Sequence, residues 1–330
     1  MIALNRLAPG AAQLSSLALA AASAAIWAVG VTVLQPLSEN IDPGLMVEDH
    51  RYWTRELRFG ALMALVLVLI VLARGGRRAT GAVLAGGCAW LAADVVLDRM
   101  DHVSGTAQLA IGAAAVALLC GAAASATPVC GAAASAARAE PRPDALLTVA
   151  TIAAVGSGLA TLTDSPTGTE PELRAGSAVV GSLLALVAVL AAAQAAGPVS
   201  RSRARTVIPA GVLAAAVPLL LRYASPRVSG GVFLAVFAFT VLLVVIVVAL
   251  ARPQPRSQWR CPAAAVIATG ALTVMFPPLM IFSALLQTGE PFTALAGNPP
   301  VDEAEVDALV VLLAVPIGLV LGSVLRGFTR

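Results

Sequence analysis

The sequence contains no lysine, so all 21 of its basic residues are arginine, and it has only two histidines, two tyrosines and four cysteines in 330 residues. Charged residues make up 12% of the chain. A soluble globule needs roughly a quarter of its residues charged to cover its surface, so that class is excluded. With two histidines, a haem or copper assembly role lacks ligands. The four cysteines form no CxxC pair: Cys88 and Cys120 lie inside apolar runs, and Cys130 and Cys261 fall in or beside segments assigned to the cytoplasm. Thiols there stay reduced, which argues against a disulfide framework and against a zinc or redox motif. The net charge is only +3, and no basic patch is interleaved with aromatic residues, so nucleic acid is not an expected partner. No Walker motif, nucleophile elbow or HExxH occurs, and nothing calls for a cofactor.

What is present is apolar length. The chain is 59% hydrophobic with a mean hydropathy of +0.89, and its Ala, Leu and Val runs are of the roughly 17 to 25 residues that a helix needs to cross a bilayer. The expected fold is all-α, a polytopic integral membrane protein of about ten transmembrane helices. They are placed at residues 11–34, 57–73, 79–97, 104–126, 145–163, 175–196, 206–221, 229–251, 262–286 and 307–325. The first run exceeds the core of a secretory signal, so it reads as an uncleaved helix. Arginine resists translocation and gathers in short cytoplasmic loops. With the N terminus inside, Arg6, Arg74, Arg77, Arg78, Arg138, Arg142, Arg201, Arg203, Arg205, Arg252, Arg256, Arg260, Arg326 and Arg330 are cytoplasmic. Of the acids, only Glu140 and Asp144 share that side, and both termini are cytoplasmic. The all-arginine, alanine-rich composition suggests a GC-rich bacterial genome and hence a bacterial plasma membrane.

A parallel internal repeat is expected. Glu56-Leu-Arg58-Phe-Gly60 returns as Glu172-Leu-Arg174-Ala-Gly176, and the turn Arg74-Gly-Gly-Arg77-Arg78 returns as Arg201-Ser-Arg203-Ala-Arg205. Four crossings per copy give both copies the same orientation. The domain reading is residues 1–126 as repeat 1, 127–144 as a cytoplasmic linker, 145–251 as repeat 2, and 252–330 as two further helices with a long outer loop. The acids at outer helix starts, Glu56 among them, read as caps that complement free backbone donors.

Three features are candidates for chemistry. Asp94 and Asp98 lie one turn apart near the outer end of the third helix, and an acid at membrane depth is a default site candidate. Asp98 pairing with Arg222 would tie the third helix to the seventh, whereas a cation or proton relay would begin at Asp94. Pro277-Pro278 and Pro316 interrupt the last two helices, as in helices that line transport paths. Asp49-His50 and Asp101-His102 mix ligands that suit a divalent metal, although loop histidines are more often simply solvated. Asp94-x3-Asp98-x2-Asp101 resembles the aspartate-rich motif of membrane prenyltransferases. The preceding asparagine and the second motif are missing and these acids face outward, so that family is set aside.

The functional expectation is a permease or transporter-like protein for a small solute or lipid, with a small-solute or cation ligand approaching from the acidic outer face. The main rival is a non-catalytic scaffold or assembly subunit that binds another membrane protein. A membrane enzyme acting on a lipid-linked substrate is third.

Overall fold

In the computed structural model, the residues described are 9–35, 51–99, 112, 142–163, 171–197, 199, 201–225, 229–251, 259–285 and 310–329. They fold into helices and contain no strand. Nine helices are formed among them: α1 (Pro9–Val29, continued by a π-helical turn over Gly30–Leu34), α2 (Arg51–Leu72), α3 (Arg77–Arg99), α4 (Pro143–Leu162), α5 (Pro171–Ala195), α6 (Arg201–Ala224), α7 (Gly230–Ala251), α8 (Arg260–Leu285) and α9 (Ala314–Thr329, led in by a 3₁₀ turn over Val311–Leu313). Seven segments, in α1 and α3 through α8, are long and apolar enough to cross a membrane. The chain is a multi-pass membrane protein. All of the expected helix over 104–126 except Gly112, most of the expected linker and the long loop 287–306 lie outside the described residues.

Several helices begin earlier than their hydropathy suggests, α2 and α6 by the most. α2 starts at Arg51 rather than 57, and α6 at Arg201 rather than 206. In both cases the apolar run stops at arginines but the helix continues past them, and for Arg58 and Arg203 the protein supplies the partners. Arg203 illustrates this: its guanidinium donates to the carbonyl oxygens of Ala193 at 3.2 Å and Leu250 at 3.1 Å, with longer bonds to Ala196 and Gly197. One side chain thereby satisfies the last-turn acceptors of both α5 and α7.

The core is built around α2, α4 and α5, whose side chains are buried on almost every face. α4 packs against α5, α9, α7 and α2, and α5 also packs against α6 and α1. Small residues set the spacing, as expected where lipid supplies no hydrophobic drive and close contact does the work. Ser177 donates to the Ala160 carbonyl at 2.7 Å and Ser157 to that of Gly181 at 2.6 Å, which fixes α4 and α5 as antiparallel. Gly318 lies so close to the Ile152 backbone that a methyl group would not fit, and Gly322 meets Thr148 and Thr151, so α9 runs antiparallel to α4. In contrast, a methyl group at Gly60 would fall 2.6 Å from Val180 and one at Gly176 would fall 2.7 Å from Leu57. The numbers rise together, so α2 and α5 run side by side in the same direction.

These pairings sort the polar residues by end. One end collects Arg74, Arg77, Arg78, Arg142, Arg203, Arg205, Arg260 and Arg326, with Asp144 the one acid among the described residues there. At the other end, Gln35, Thr54, Arg55, Glu56, Arg58, Asp94, Thr161, Thr163, Ser177 and Arg222 are buried together with the helix ends that carry them.

Candidate functional site

The polar end is organised by Asp94, which is 1% exposed and lies five residues before the end of α3. Arg58, on the second turn of α2, faces it edge-on: Nε donates to Oδ1 at 3.0 Å and Nη2 to Oδ2 at 3.2 Å. This paired geometry is the strongest available to a carboxylate and a guanidinium. The indole Nε1 of Trp27, on α1, donates to Oδ1 of Asp94 at 2.7 Å. The remaining fork of Arg58, Nη1, donates to Oε1 of Gln35. Three helices therefore meet at one neutral, hydrogen-bonded cluster.

Local sequence explains how α1 reaches it. Gly30 opens the π-helical turn, and a methyl group there would stand 2.7 Å from Arg58 Cγ, so glycine makes room for the arginine stem. The extra residue per turn of the π segment rotates Gln35 onto Arg58, and such bulges recur at functional sites. Trp27 is held in place by Trp90 of α3, the two rings meeting edge-to-face at 5.0 Å between centroids.

Glu56 is two residues from Arg58 and also fully buried. It is not the cap of its own helix, as the sequence suggested. Because α2 begins at Arg51, Glu56 is interior to it, and its Oε2 instead accepts the N–H of Val311 at 2.9 Å. The 3₁₀ turn that starts α9 has no side-chain cap from Val310, so a carboxylate 255 residues away provides one.

Asp94 is in the cluster, and Arg222 is buried near the end of α6, one turn beyond Pro218, whose ring edges Gly181 of α5. The side chain of Asp98 lies outside the described residues, as do Asp49, His50, Asp101 and His102. Pro277 and Pro278 sit inside a continuous α8 and are exposed, on the side turned away from α7 and α9; Pro316 of α9 is likewise exposed. Among the described residues no group of three His, Cys, Asp or Glu could hold a metal ion.

Sequence reasoning singled out Asp94 but not its partners. Arg58 stood in the repeated Glu-Leu-Arg motif, where a charge at the second position of an apolar run was a usable signal. Trp27 and Gln35 carried none beyond being polar atoms at one end of a spanning helix.

No protein-family model matches the chain, and no curated protein or solved structure is detectably similar to it. The geometry alone bears on function.

Proposed function

We propose that the protein is a permease or transporter-like membrane protein for a small solute or lipid, and that the Arg58–Asp94 pair closes one end of its helical bundle. The single observation that supports this most is a complete two-pronged ion pair buried where three helices converge, beside a π-helical turn. Intramembrane charges are costly and tend to mark the routes of ions and substrates. Asp94 acts here as the acceptor in a closure rather than as the head of a proton relay, because three donors already occupy its two oxygens. Breaking the pair would separate α1 and α2 from α3 and expose two charges able to engage a polar solute.

The wider reading is ten crossings in a bacterial plasma membrane, with both termini cytoplasmic and the paired end outward. The arginine-rich opposite end supports that orientation. A repeated four-helix unit is supported by α2 and α5, the helices that carry the two copies of the Glu-Leu-Arg-x-Gly motif, running in parallel with a motif glycine of each against the other.

A second reading, an assembly subunit that binds another membrane protein, draws support from the outward placement of Pro277, Pro278 and Pro316 and from the close-packed middle of the bundle, where Gly156 meets Met63 and Gly318 meets Ile152. The deciding experiment is thermal unfolding in nanodiscs against cations, amino acids, sugars and lipids, with solutes that stabilise the protein carried into counterflow in proteoliposomes. The transport reading expects a solute that stabilises wild type and is taken up, with both effects lost in the folded Arg58→Leu/Asp94→Leu double variant. No stabilising solute, or uptake unchanged in that variant, overturns it in favour of assembly.

A further inference from the structure

The strongest charge concentration outside the paired cluster lies at the opposite end. α2 ends in a turn whose Arg74 has φ 55° and Gly75 φ 72°, with the Gly75 N–H returning to the Ile70 carbonyl at 3.0 Å and the Arg74 N–H to that of Val71 at 2.9 Å. This C-terminal motif turns the chain back within a few residues and starts α3 at Arg77. The same turn is bonded to the beginning of α4: the Arg142 N–H donates to the Arg74 carbonyl at 3.1 Å, and Gly75 packs on Ala145. Two distant stretches thus bring Arg74, Arg77, Arg78 and Arg142 to one corner. Arg77, Arg78 and Arg142 are exposed, and Asp144 is the nearby acid among the described residues.

We propose that this corner binds the phosphate-bearing headgroup of an anionic phospholipid from the leaflet at the arginine-rich end. The guanidinium fork matches phosphate oxygens, and the first-turn N–H groups of α3 and α4 add positive potential on the same side. Position argues for a lipid over a free anion. The corner joins helices of spanning length, so it stands at headgroup level. Directly below it α3 turns a shallow face of Gly81, Ala82, Ala85 and Ala89 outward, with Leu84 beside them, leaving a smooth apolar strip for an acyl chain. Arginines beside an anionic surface each contribute about fivefold in affinity.

The test is native mass spectrometry of the full chain titrated with phosphatidylglycerol or phosphatidylcholine. We expect tighter phosphatidylglycerol binding to wild type, a loss of about a hundredfold in the Arg77→Gln/Arg78→Gln/Arg142→Gln variant, and retention in Arg205→Gln/Arg260→Gln, which removes charge elsewhere at the same end. Equal losses in the two variants would reduce the effect to net charge and overturn the site. So would unchanged binding in the triple variant. Displacement of the lipid by millimolar inorganic phosphate would overturn the lipid assignment in favour of a free-anion site.

Discussion

Replacing Asp94 by Leu while leaving Arg58 in place tests the central cluster most directly. The substitution removes an acceptor of three hydrogen bonds and leaves a guanidinium that is 1% exposed without its counter-charge. Two estimates bracket the cost. Hydrogen bonds inside membrane proteins average about 0.6 kcal/mol each, so three give a floor of about 2 kcal/mol. Breaking a buried ion pair from one side costs about 3–5 kcal/mol, because the remaining charge stays buried. The Arg58→Leu/Asp94→Leu double variant should lie closer to wild type than the Asp94→Leu single, since no charge is then stranded. It should not be neutral: Trp27 Nε1 and Gln35 Oε1 lose their partners, at about 1–3 kcal/mol for each buried polar group left unmade. The assay is unfolding in mixed detergent–SDS micelles, followed by circular dichroism across all four corners of the double-mutant cycle. Additive losses, with the double variant destabilised relative to wild type by the sum of the two single losses, would refute the reasoning. They would mean that Arg58 and Asp94 do not stabilise one another.

Three further outcomes follow from single contacts. Glu56→Ala should accelerate amide exchange at Val311 and the first turn of α9 by a factor of about 5 to 30, the equivalent of a lost cap worth about 1–2 kcal/mol, while exchange in α7 is unchanged; equal acceleration everywhere would indicate general loosening instead. Gly318→Ala should destabilise by about 1–3 kcal/mol, because the new methyl group meets the Ile152 backbone, whereas Gly270→Ala, where nothing stands within 4 Å, should stay within about 0.5 kcal/mol in the same unfolding assay. Arg203→Leu should cost about 1–2 kcal/mol by stripping the last carbonyls of α5 and α7 of their shared donor, and exchange measurements should show those two helix ends fraying together.

The membrane-spanning architecture was legible because a run of about 20 apolar residues has few alternatives to a spanning helix. The boundaries were less so wherever charge intruded. A hydropathy reading starts α2 only at Leu57 since lipid would not accept Arg55 and Glu56, but these side chains face protein and are buried in it. The depth of Asp94 could be read from its place in an apolar run. Its partner could not, because pairing between helices 36 residues apart depends on which faces meet, and one-dimensional periodicity fixes faces without fixing neighbours. The role of the prolines was not legible for a related reason: proline at membrane depth marks a break in backbone bonding, but which way the break faces is set by packing, which a one-dimensional pattern does not carry.

The position of α2 gives these contacts a common consequence. Residues advance about 100° around a helix, so Glu56 and Arg58, two apart, point to nearly opposite sides. Arg58 reaches α1 and α3, where Gly30 receives its stem and Asp94 its head. Glu56 reaches α9, and Gly60, one turn further along the same face, sits against Val311 and Val180. A rotation of α2 about its own axis would therefore strain the ion pair on one flank and the α9 cap on the other at once, whereas a shift of α3 alone would break the pair and the Trp27 contacts to Asp94 and Trp90 but leave the α9 cap intact. Release of Asp94 with the Glu56–Val311 bond intact is thus the less costly opening, and it moves α3, whose outer face is already exposed and has few contacts to lose.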